Sequence, residues 1–142
     1  MIVDALLIAG ALNLLAALVH IAVVLGGPSW YRFFGAGEAM AVMAEKGLLK
    51  PGIITLGIAF VLIIWAIYAF SGAGFLPALP FTRVVLSLIS AIYLIRGLVG
   101  MVAPFISNHP QIKQNSKSFW VWSSIICLVI GAFHLVGVVA IW

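Results

Sequence analysis

The sequence predicts an all-α integral membrane protein. Its expected form is a four-helix bundle with one extra interfacial or half-inserted helix between spans 1 and 2. Three observations carry this. Of 142 residues, 65% are hydrophobic and only 7% are charged, where a soluble domain carries about a quarter charged residues. A globule of this size cannot enclose so much apolar surface, so lipid must solvate most of it. Four apolar runs also reach the roughly 20 residues that a helix needs to cross a bilayer core, and runs of that length have few other readings. The length suits one unit, so residues 1–142 are expected to form a single transmembrane domain.

The first span is expected over about 3–25. Its start has Asp4 where a signal peptide has a basic segment, and its apolar run outlasts a cleaved core, so it reads as a retained membrane helix. Gly26, Gly27 and Pro28 end it, because two glycines and a proline disfavour regular helix. Trp30 and Tyr31 follow, residue types that settle at a membrane–water boundary.

An amphipathic connecting helix is expected over about 30–47, with Tyr31, Glu38 and Glu45 on one stripe. Arg32, Glu38, Glu45 and Lys46 make it a poor span, so it should lie in the interface or dip partway into the bundle. The second span is expected over about 52–71. The connection 72–80 (GAGFLPALP) holds two prolines that stop either helix from extending through it. Spans three and four are expected over about 81–103 and 119–141, joined by the hydrophilic loop 107–118. Gly-Ala-Gly occurs at 35–37 and 72–74, but no longer similarity supports an internal repeat.

The formal charge is +4. The seven basic residues are scattered, which argues against a nucleic-acid partner. Arg32, Lys46, Lys50, Lys113 and Lys117 follow the odd spans, while Arg83 and the terminal amine lie on the other face. The positive-inside tendency then predicts a multi-pass protein of the cell (inner or plasma) membrane with both termini outside the cytoplasm. The single cysteine, Cys127, excludes an intrachain disulfide and paired-cysteine redox chemistry.

Within the spans, the polar residues stand out. Gly10, Asn13, Ala17 and His20 share one face of the first helix, where small residues admit a neighbour and polar ones find partners. Arg96 lies about 12 Å inside Pro104, at 1.5 Å per residue. A charge so deep faces a partner or wet cavity, unless its long side chain snorkels to the headgroups. Tyr93 and Gly100 share its side of the helix. On the fourth helix Cys127, Gly131 and His134 share a face, with Ser123 a turn earlier. A haem between His20 and His134 is disfavoured, since their depths differ by roughly 10 Å on the same helical rise. No H-E-x-x-H, Cys/His cluster or G-x-S-x-G occurs, so neither a cofactor nor a metal is expected. His109 reads as a solvated loop residue.

What remains is a site assembled from separate elements: Glu38, Arg96, His20, Asn13 and Tyr93, with Glu38 drawn to Arg96 as its counter-charge. The leading expectation is a protein that binds or transports a small amphipathic or anionic molecule at a polar site on the cytoplasmic half. Membrane lipid is the expected surrounding, and homo-oligomers are compatible with the small helix faces. The alternative is a non-catalytic structural or assembly subunit whose polar cluster is a latch. A membrane-embedded acid–base enzyme using His20 or Glu38 is a third reading, weakened by the lack of a nucleophile or metal set.

Segment 34–51, FGAGEAMAVMAEKGLLKP, resembles the connecting region of DoxX-like small membrane proteins. The stretch is short, and no activity is carried over from it. Small multidrug exporters would have an acidic residue deep in the first span, where this chain has only Asp4 at its end. The glutathione-linked four-helix transferases would show an Arg/Asn/Glu motif that this chain lacks.

Overall fold

The computed structural model describes residues 2–142, with side chains from Asp4 onward. Four long helices dominate: α1 (Ile2–Gly26), α4 (Lys50–Gly72), α5 (Thr82–Ile106) and α7 (Lys117–Ile141). Each is long and apolar enough to cross a membrane, and among the described residues there is no strand. The chain is an all-α multi-pass membrane protein. Leu15, Leu18, Ile95, Leu98 and Val139 point outward, which costs nothing when the surroundings are lipid.

The four spans alternate in direction around a ring. The closest partnerships are α1 with α4 and α5 with α7, and α1 joins the two pairs along α7. The fourth side, between α4 and α5, is much more loosely packed. The centre is filled by Leu6, Leu86, Ile89 and Val138 together with Ala17, Ala59 and Ala69. Small residues let the backbones approach where lipid supplies no hydrophobic drive. Gly97 shows how closely: an added Cβ would stand 2.6 Å from Leu128 and 3.1 Å from the Ser124 carbonyl on α7.

The connecting segment is two short helices, α2 (Pro28–Phe33) and α3 (Glu38–Glu45), and not the single helix expected over 30–47. The break is Gly35, whose φ of 73° is a conformation that side chains disfavour. The Gly35 N–H donates to the Arg32 carbonyl and the Ala36 N–H to the Tyr31 carbonyl, the paired bonds of a Schellman ending. Gly47 ends α3 with the same pair of bonds, to Ala44 and Met43. The elbow at Gly35 rests against Phe119 of α7, so close that a Cβ would come within 2.1 Å of its ring. Tyr31 and Ala41 are buried with Val23 in a small core of their own.

In the hydrophilic loop, Pro110–Lys113 form a single turn, α6. Ser116 caps α7 by accepting from the Phe119 N–H, and the Trp120 indole donates to the Ile112 carbonyl. The terminal amine, grouped above with Arg83, lies outside the described residues.

Candidate functional site

The polar residues of the spans fall into two groups at different depths, and a third group lies on the connecting helices. The deepest is a chain of hydrogen bonds through the middle of the bundle. The Tyr93 hydroxyl donates to Asn13 Oδ1, and Asn13 Nδ2 donates to His134 Nε2 at 2.8 Å. Asn13 and His134 are fully buried and Tyr93 nearly so. The Tyr93 ring stacks on His134, with centroids 5.9 Å apart, and meets Trp65 edge-on at 5.2 Å. Since His134 Nε2 accepts, its ring proton sits on Nδ1, which has no hydrogen-bond partner among the described residues. The chain ties α1 to α5 across the bundle's diagonal and α1 to α7 along its side.

Arg96 forms the second group, one turn from Tyr93 on α5. Its guanidinium donates to Ser124 Oγ at 3.3 Å and Ser123 Oγ at 3.2 Å, and lies 4.7 Å from the centre of the Trp120 ring. The Ser123 hydroxyl in turn donates to the Trp120 carbonyl. The side chain runs along its own helix toward Gly100, where a Cβ would fall 2.3 Å from Nη1 and 2.2 Å from Ser124 Oγ. Gly100 therefore makes the space that the guanidinium and the Ser124 hydroxyl share. Among the described residues no carboxylate pairs with Arg96.

Glu38 is elsewhere, which corrects the expected Glu38–Arg96 pair. Its carboxylate accepts from Arg32 Nε at 3.0 Å and Nη2 at 2.7 Å, while Arg32 Nη1 reaches Glu45 at 2.6 Å. One arginine thus clasps the acidic residues of α3 from α2, at the protein's surface. The Arg32 hydrogen bonds hold the Glu38 carboxyl below its usual range, and the two carboxylates raise Arg32. The physical reason for the swap is desolvation. Taking Glu38 into the bundle would strip its carboxylate of water, whereas Arg32 meets it where both stay hydrated. His20 likewise turns to its own helix, its Nδ1 donating to the Ala16 carbonyl at 2.7 Å. Asn13 and Tyr93 are brought together; Glu38, Arg96 and His20 each have separate local partners.

The open seam between α4 and α5 is a groove of about 400 Å³. Ile54, Gly57, Ile58 and Trp65 form much of the α4 wall, Tyr93 and Arg96 belong to the α5 wall, and Cys127 of α7 joins them. Among the described residues Arg96 is the one charged residue of this lining. Because α4 and α5 are antiparallel and Trp65 meets Tyr93, Arg96 lies toward the Ile54 end. Gly57 has open space before it, with nothing within 4 Å of an added Cβ.

Sequence reasoning missed Ser124, Trp120, Gly57 and Trp65. It passed over one usable signal, the matched depth of Asn13 and Tyr93. No group of three or more His, Cys, Asp or Glu among the described residues could hold a metal ion. No family model, curated protein or solved structure matches the chain.

Proposed function

We propose that this membrane protein binds a small anionic amphiphile in the groove between α4 and α5, with Arg96 as its counter-charge. The observation that carries the reading is a guanidinium inside a span, without a carboxylate partner among the described residues, on an otherwise apolar groove. Intramembrane charges face a partner or a functional path, since burying one uncompensated is costly. Here serine hydroxyls and an indole face orient the cation without neutralising it. The groove's size falls in the range of small-molecule sites, mostly apolar with few placed polar groups. Tyr93 forms part of the wall and Asn13 fixes its hydroxyl. Glu38 and His20 do not line the groove, so their part is indirect: Glu38 helps to hold the connecting helices.

The test is mass spectrometry of what copurifies with wild type, Arg96→Gln and Gly57→Phe in one detergent. Gly57→Phe grows a side chain into open space, so it fills the groove with little demand on the fold. An anionic amphiphile enriched in wild type and depleted in both variants is expected. Equal profiles in all three would overturn the reading and favour a structural subunit.

The side of the membrane belongs to the same proposal. Five basic residues on the loops bearing α2, α3 and α6 support placing those loops in the cytoplasm and both termini outside. A fluorescent protein fused after Trp142 should then stay dark when exported in unfolded form. Bright fluorescence from an inserted fusion would reverse the assignment.

A further inference from the structure

The depth of the guanidinium narrows what the groove takes. α5 has 25 residues, about 37 Å at 1.5 Å per residue, and so overhangs a hydrocarbon core of about 30 Å by roughly 4 Å at each end. Gly100, against which the guanidinium lies, is six residues from Ile106, or about 9 Å. The charge therefore sits roughly 5 Å inside the core boundary. Lipid phosphates lie outside that boundary, in the headgroup layer. A phosphate would have to sink past it and shed its water to reach Arg96, whereas a carboxyl at the head of a chain is small and arrives with the chain.

Charge and geometry agree. Arg96 brings one positive charge, and among the described residues no second cation lines the groove. A monoanion makes the pair neutral, while a dianion leaves net charge in a medium that penalises it. Two of the five N–H groups of Arg96 go to Ser123 and Ser124. Among the described residues Nε–H and the second hydrogens of both Nη atoms stay uncommitted, enough for a two-pronged carboxylate contact. From Ile54 to Trp65 the groove runs eleven residues along α4, about 16 Å, which is about half the thickness of the core. Trp65 and Tyr93 stand together toward its far end.

We infer that the ligand is a single-chain carboxylic acid, a free fatty acid or a molecule built like one. It enters sideways from the leaflet at the α2–α3 end, its carboxylate on Arg96 and its chain along Gly57 and Ile58 toward Trp65. This rests on the groove reading above and specifies its ligand class.

The test uses the whole protein in nanodiscs of neutral phosphatidylcholine and three probes brominated at mid-chain: stearic acid, its methyl ester and a phosphatidate. Bromine quenches a tryptophan that it touches, and Trp65 lines the groove. The acid should quench saturably, and the signal should vanish in Trp65→Phe. The ester should bind wild type at least tenfold more weakly than the acid, and the acid should bind Arg96→Gln at least tenfold more weakly than wild type. Gly57→Phe should abolish saturation while leaving Arg96 in place. An ester as effective as the acid would overturn the carboxylate assignment. Stronger quenching by the phosphatidate would overturn the fatty-acid class and leave an anionic-lipid groove standing. No saturable quenching by any probe, in wild type as in Gly57→Phe, would overturn the groove reading itself.

Discussion

Replacing Tyr93 with Phe isolates one atom of the buried chain. The ring stays, with its stack on His134 and its edge contact to Trp65. What goes is the hydroxyl that donates to Asn13, leaving Asn13 Oδ1 without that donor at a fully buried position. In soluble proteins an orphaned buried acceptor costs about 1–3 kcal/mol. Between membrane helices the measured mean is nearer ~0.6 and the maximum ~1.7, because the unfolded chain in lipid also finds partners. Because Asn13 is fully buried, the upper part of the membrane range applies, roughly 1–1.7 kcal/mol. Asn13→Ala should cost more, since it strands both the Tyr93 hydroxyl and His134 Nε2. The double variant should cost less than the two single losses together, by on the order of 1 kcal/mol. Reversible unfolding in mixed detergent micelles reads all four species. A neutral Tyr93→Phe, or strictly additive losses, would refute the claim that this chain ties α5 to α1.

Glu38→Gln tests the surface clasp through pH. Because Arg32 lowers the Glu38 carboxyl, the clasp's contribution is complete above the ordinary carboxylate range and lost as pH falls through the lowered value. The melting difference between wild type and Glu38→Gln should be steady near neutrality and shrink in acid; a pH-independent difference would remove the ion pair from the account. Gly97→Leu should destabilise by about 1–3 kcal/mol through overpacking, since the Ser124 carbonyl that its Cβ approaches belongs to a backbone that cannot swing aside. Unchanged melting in detergent would mean that α5 and α7 do not meet there.

The spans were legible because the bilayer imposes a length that sequence must match, and the four runs did. The connecting segment was not, although its glycines were plain. On one continuous helix Arg32 and Glu38, six residues apart, fall on different faces, and only the reversal at Gly35 and Gly37 swings the carboxylate back onto the arginine. Asn13 and Tyr93 were legible in principle. Asn13 stands eleven residues after Ile2 and Tyr93 eleven after Thr82, on helices that start from the same face, so the two lie level. His134 runs the other way and lies within reach of both. Arg96 resisted for a physical reason. Periodicity says which way a side chain points but not which partner is cheapest; Glu38 is the expected counter-charge, and Glu45 is the other acid of the connecting segment. Both carboxylates are held by Arg32 without losing their water, and drawing either inward would add a second desolvation to the first. Hydroxyls carry a far smaller desolvation cost than a carboxylate, so Ser123 and Ser124 take the role. They steady the guanidinium but leave its charge whole. An arginine with two hydroxyls and an indole face, but no carboxylate, as its partners among the described residues, beside a seam that two helices leave open, is the feature on which the proposed groove reading rests.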